Sequence, residues 1–154
     1  MKKIILCFLL FSASYILPAQ ELVWHNNLNE AVQLSEQTKK PLMLFFTGSD
    51  WCGWCMRLQS EVFKKPEFAS WAAKNVVLVE VDFPRRSALA PELQNQNREL
   101  QQFFQVSGYP TVWFVNAVKN KEQISFTKLG SSGYMAGGPA VWLNGANEIL
   151  KQKQ

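Results

Sequence analysis

The chain has 154 residues, of which 47% are hydrophobic and 13% aromatic, and a formal net charge of +4. That supplies apolar material for the core of one domain. Its 16 lysines and arginines are scattered among Glu and Gln without a basic stripe, which excludes a nucleic-acid-binding surface.

The N-terminus has the layout of an export signal. Lys2 and Lys3 are followed by Ile4 to Leu17, apolar apart from Ser12 and Ser14, with Leu17 and Ala19 suited to a signal-peptidase site. The apolar core of 14 residues is shorter than the roughly 20 needed to span a bilayer. Residues 1–19 are therefore expected to be cleaved, leaving 20–154 as a single domain. Cys7 leaves with the leader, and loss of Lys2 and Lys3 lowers the charge from +4 to +2.

Asn27 or Asn29 is expected to cap a helix through about Lys39, broken by Pro41. Leu42 to Phe46 is a continuous apolar run, the pattern of a strand buried on both faces. Thr47 to Asp50 turns the chain into Trp51-Cys52-Gly53-Trp54-Cys55, and the pattern from Gly53 to about Lys64 is helical. Pro66 opens a short helix through Ala73. Val76 to Val81 reads as a second central strand, and Glu92 to Phe104 as a helix. After the turn Ser107-Gly108-Tyr109-Pro110, Thr111 to Val115 is a strand, Lys119 to Lys121 a hairpin turn, and Gln123 to Leu129 the returning strand. Gly130 to Gly138 reads as a loose connector, and Pro139 to Leu150 as a closing helix. The alternation predicts an α/β fold, with a mixed sheet of about four to five strands flanked by helices. Its crossovers imply parallel strands and its late hairpin an antiparallel edge.

Only Cys52 and Cys55 remain in the mature chain. A bridge across two residues restricts the unfolded chain little, so the pair is better explained by chemistry than by stability. At a strand-to-helix junction, Cys52 faces unpaired N–H groups and the positive end of the helix dipole, and both favour the thiolate. Cys55, one turn on, can then resolve a mixed disulfide. Gly53 is expected to let the chain turn tightly, with Cys52 exposed and Cys55 more buried. A lone C-x-x-C is also half of a zinc site, but zinc needs four ligands and the mature chain adds only His25, so no metal and no cofactor are expected.

Trp-Cys-x-x-Cys after an apolar strand, with Gly108-Tyr109-Pro110-Thr111 before a later strand, resembles the thioredoxin superfamily. Phe46 to Cys55, Val79 to Pro84, and the Asn97-to-Leu100 and Gly108-to-Pro110 stretches resemble, within it, the small periplasmic DsbH-like oxidoreductases. The resemblance runs from about Leu22 to Leu150 and implies a thioredoxin fold. It implies Cys52 as nucleophile, Cys55 as resolving thiol, Pro110 as the family's cis-proline, Trp51 as a shield for the sulfurs and Tyr109 as a position that tunes substrate choice. Trp51 and Trp54 bracket the sulfurs and would form an apolar collar for extended substrates. The buried aspartate of thioredoxins has no counterpart in Leu44-Phe45-Phe46, which leaves water or Glu80 to carry the proton. The Gly-Trp pair between the cysteines offers no histidine to stabilise the thiolate, which favours a reducing couple.

The expected activity is that of an exported, periplasmic thiol–disulfide oxidoreductase that reduces protein disulfides, draws electrons from a membrane thiol donor and works as a monomer. A disulfide oxidase or isomerase, or a redox-silent thioredoxin-fold chaperone, are the competing readings. Trp24, Trp71, Trp113 and Trp142 are expected in the core or at its rim, and Arg57 either near local negative charge or simply in solvent.

Overall fold

The computed structural model describes residues 22–121 and 123–152; the expected leader at 1–19 lies outside them. The elements are β1 (Trp24–His25), α1 (Leu28–Thr38), β2 (Leu42–Thr47), α2 (Gly53–Leu58), a π turn (Gln59–Phe63), α3 (Pro66–Asn75), β3 (Val77–Asp82), α4 (Pro91–Phe103), β4 (Thr111–Asn120), β5 (Gln123–Ser132) and α5 (Gly138–Lys151). They build a five-stranded mixed sheet in the order β1-β3-β2-β4-β5, covered by helices on both faces.

All six residues of β2 are buried, and the two-residue period of the strand divides them between two cores. Met43 and Phe45 face Leu58, Val62 and Phe63 of α2 and the π turn, Phe68 of α3, and Trp142 of α5. Leu42, Leu44 and Phe46 face Ala31 and Val32 of α1 and Leu100 of α4. This two-sided covering is why the strand reads as an unbroken apolar run. Asn27 caps α1, its side chain accepting from the Asn29 and Glu30 N–H groups at 2.9 and 3.3 Å.

Three features depart from the sequence reading. β1 pairs in parallel with β3, Trp24 opposite Leu78, and its two residues are too few to show a period. β4 runs antiparallel to β2, Phe46 opposite Thr111, although a helix precedes it. The segment between β3 and β4 contains α4, which is tied to the sheet edge by side-chain amides. Gln96 accepts from the Leu28 N–H at 2.9 Å and Asn97 donates to the Asp82 carbonyl at 2.9 Å. These bonds hold the middle of α4 at the ends where β1 and β3 finish, and the chain re-enters the sheet at the end it left, with Asp82 opposite Thr47 and Thr111 opposite Phe46. The β4–β5 hairpin is also longer than expected, because β5 continues to Ser132 past a register shift beside Phe114.

Candidate active site

β2 ends at Thr47, and a turn in which the Trp51 and Cys52 N–H groups donate to the Gly48 carbonyl delivers Cys52 to the start of α2. Cys52 caps that helix: its Sγ accepts from the Cys55 N–H at 3.2 Å, while its carbonyl accepts from Met56. Cys52 and Cys55 are joined by a disulfide, with Cα atoms 5.2 Å apart. One sulfur therefore sits on an otherwise orphaned helix donor, the arrangement that stabilises a thiolate once the bond is reduced.

Cys55 is fully buried, but Cys52 retains only 6% exposure, against the expectation of an exposed thiol. Its side chain belongs to the buried core cluster against which Trp51, Tyr109 and Tyr134 are also packed. Gly53 is the first helical residue of α2, so it does not provide the tight turn expected of it. A Cβ there would meet nothing within 4 Å, leaving that approach to the sulfurs open.

Trp51 is held from one side by the β3–α4 connection. Its Nε1 donates to the Phe83 carbonyl at 2.7 Å and the Arg85 guanidinium lies 3.7 Å from the ring centre. A Cβ on Gly48 would overlap the Trp51 indole, so only glycine leaves room for the ring. Around it, the Asp82 carboxylate accepts from the Ser49 N–H and hydroxyl at 2.8 and 2.5 Å. The Asp50 carboxylate accepts from the Arg85 and Arg86 N–H groups at 2.9 and 2.7 Å, and the Arg85 bond chiefly holds its pKa below the usual value.

Tyr109 and Pro110 close the other side. The peptide bond between them is cis. The Tyr109 ring meets Trp51 edge-on at 5.8 Å and lies 5.4 Å from Phe83, and its hydroxyl accepts from Gln101 at 2.7 Å. Burial pushes its phenol pKa upward. Trp54 is 55% exposed, and its ring stands 5.1 Å from Tyr134, in the connector between β5 and α5.

Cys52, Cys55, Trp51, Tyr109 and Tyr134 thus meet in one cluster, with Trp54 packed on Tyr134 at its rim. Glu80 stands opposite Phe45 in register, half-buried, with its pKa raised by burial and by the negative charge of Asp82. Sequence reasoning missed Tyr134, Glu61 and Arg85. Nothing local marks them, since they reach the site only through the β5–α5 connector, the π turn and the β3–α4 loop. Arg57 meets both expectations: it stays solvent-exposed on α2 and pairs with a local negative charge, Glu61, at 2.7 Å.

Residues 23–117 match a family model described as thioredoxin-like. The chain is 35% identical over 133 residues to the disulfide bond reductase DsbH of Chlamydia pneumoniae, covering 86% of this chain and 75% of that one. It is also 35% identical over 112 residues to the thiol:disulfide interchange protein DsbD of Vibrio vulnificus, but there it spans only 17% of the relative's length. A solved DsbH oxidoreductase superposes with a TM-score of 0.76 at 33% identity, over 86% of this chain and 87% of that one. On this sequence and this fold, the chain belongs to the thioredoxin-like family, as a homologue of DsbH and a thiol–disulfide oxidoreductase.

Proposed function

We propose that the protein is an exported reductase of protein disulfides in which Cys52 attacks and Cys55 resolves. The observation that carries this reading is the Cys55 N–H bond to Cys52 Sγ at the head of α2, which favours negative charge on that sulfur. In the reduced protein, the Cys52 thiolate attacks one sulfur of a client disulfide. A Cys52–client bond forms and the other client sulfur leaves as a thiolate that takes a proton. Cys55, deprotonated, then attacks Cys52 Sγ, releases the second client thiol and closes the Cys52–Cys55 disulfide. The client gains two electrons and two protons, and the protein loses them. A thiol donor at the membrane restores the dithiol by the same exchange in reverse.

Trp51, Gly53, Trp54, Tyr109 and Pro110 form the client-facing surface in this scheme. The Tyr109 backbone lies just before the cis bond, where an extended client segment can pair with it as an added strand. The reductase direction is supported by the chlamydial relative, a disulfide bond reductase, and by the absence of a histidine between the cysteines. Export is supported by the leader-like residues 1–19.

The test is the reduction potential of Cys52–Cys55, from equilibration with defined thiol buffers and counting of free thiols. A value near that of thioredoxin, about −270 mV, is expected, whereas one near −120 mV would make the protein a disulfide donor. Independently, Cys55→Ser is expected to accumulate a mixed disulfide with clients and Cys52→Ser none. A trap through position 55 instead would reverse the two roles.

A further inference from the structure

Between α2 and α3 the helix ladder widens. The Lys64 N–H donates to the Gln59 carbonyl at 2.8 Å, five residues back, the mark of a π turn. Such turns occur mostly as single insertions in helices, frequently near functional sites. Within this one sits Glu61, and both oxygens of its carboxylate accept hydrogen bonds. One oxygen accepts from Arg57 Nε at 2.7 Å and the other from the Tyr134 hydroxyl at 2.7 Å. The Arg57 guanidinium lies 5.5 Å from the centre of the Trp54 ring and 5.3 Å from that of Tyr134. The two rings are themselves 5.1 Å apart. One carboxylate thus ties the exposed tryptophan between the cysteines to the β5–α5 connector.

That connector is also anchored at the residue before Tyr134. Trp142 donates from Nε1 to the Gly133 carbonyl at 3.0 Å, and a Cβ on Gly133 would lie 3.4 Å from the Pro110 carbonyl oxygen. Tyr134 therefore stands between the cis-proline loop and Trp54. An exposed indole without these partners would sample several rotamers, and a client would have to immobilise it on binding.

We propose that Glu61 is a positioning residue for client recognition: through Arg57 and Tyr134 it fixes the Trp54 ring as one wall of the groove in which a disulfide-bearing segment lies. The inference deepens the reductase reading and rests on it. It concerns affinity for an extended polypeptide and not the reactivity of the sulfurs, because none of the three residues is hydrogen-bonded to Cys52 or Cys55.

The experiment compares wild type with Glu61→Gln, Tyr134→Phe, Trp54→Ala and the Tyr134→Phe/Trp54→Ala double variant, using insulin as the protein disulfide and dithiothreitol as the small thiol. Glu61→Gln and Tyr134→Phe are expected to raise KM for insulin by about three- to tenfold, the scale of one aromatic contact. Their kcat, reduction potential and rate of reduction by dithiothreitol should stay at wild-type values. The double variant should show the KM of Trp54→Ala alone, since the network acts through that ring. Turnover of insulin with unchanged KM in both single variants, or additive effects in the double, would overturn this proposal and leave the reductase reading standing. A parallel loss of the dithiothreitol rate would also overturn it, by locating the effect at the sulfurs. Absence of insulin turnover in the wild type would overturn both.

Discussion

At the scale of single residues, the site is assembled from donors and acceptors that nearly all find partners. Thr47, the last residue of β2, is the exception: it is fully buried and its hydroxyl has no hydrogen-bond partner among the described residues. A hydroxyl buried in this way costs on the order of 1–3 kcal/mol relative to a satisfied one. Thr47→Val keeps the branched shape that suits a strand and removes the orphan group. Chemical denaturation should therefore find the variant unchanged or more stable by about 1 kcal/mol. A clear loss of stability would mean that the hydroxyl is paired in solution. Cys52 and Cys55 could be read from the sequence because their spacing is itself the signal, whereas Tyr109 and Pro110 came only from the resemblance to a family motif. Glu61 and Tyr134 could not, because 73 positions separate the two ends of their hydrogen bond.

At the scale of elements, the closing helix does more than cover the sheet. Trp142 of α5 is fully buried, meets Phe63 edge-on at 5.1 Å and Phe68 at 5.8 Å, and also holds the connector through the Gly133 carbonyl. Two substitutions separate these roles. Trp142→Ala removes both and should cost about 3–5 kcal/mol, as large-to-small changes in cores do. Trp142→Phe keeps much of the packing, and its loss of the hydrogen bond alone should cost about 1 kcal/mol. Urea titration measures both. If Trp142→Phe is as damaging as Trp142→Ala, the carbonyl bond is the larger contribution and the connector depends on it. The sequence placed this helix correctly from its apolar spacing. The preceding stretch read as a loose connector because glycines dominate it, whereas Gly130 is actually strand, lying where a Cβ would meet Ile149 at 2.9 Å.

At the scale of the whole molecule, the fold was legible where periodicity is long and obscure where direction depends on distant contacts. The unbroken apolar run of β2 announced a sheet covered on both faces, and the two cores bear this out. The direction of β4 was not legible, because it depends on the path of the whole segment between β3 and β4, which no local pattern encodes. The same global arrangement contributes to the dependence of stability on pH through carboxylates that act in opposite senses, with Asp50 and Glu61 lowered and Glu80 raised. Asp50, whose pKa is lowered mainly by the Arg85 N–H, adds stability that is present above its ordinary pKa of 3.8 and is lost as pH falls through the folded value. Glu80 does the reverse. Burial and the charge of Asp82 raise its pKa, so its contribution is fully present below the ordinary value of 4.5 and is lost as pH rises through the folded one. Above its ordinary value Glu80 is thus a net cost to the fold. Glu80→Gln, which keeps the shape and removes the charge, should raise the melting temperature at neutral pH, and the gain should vanish in acid where Glu80 is protonated anyway. Thermal melts of the two proteins across that range test this directly. A Glu80→Gln variant less stable at neutral pH would mean that the ionised carboxylate has a stabilising partner in solution.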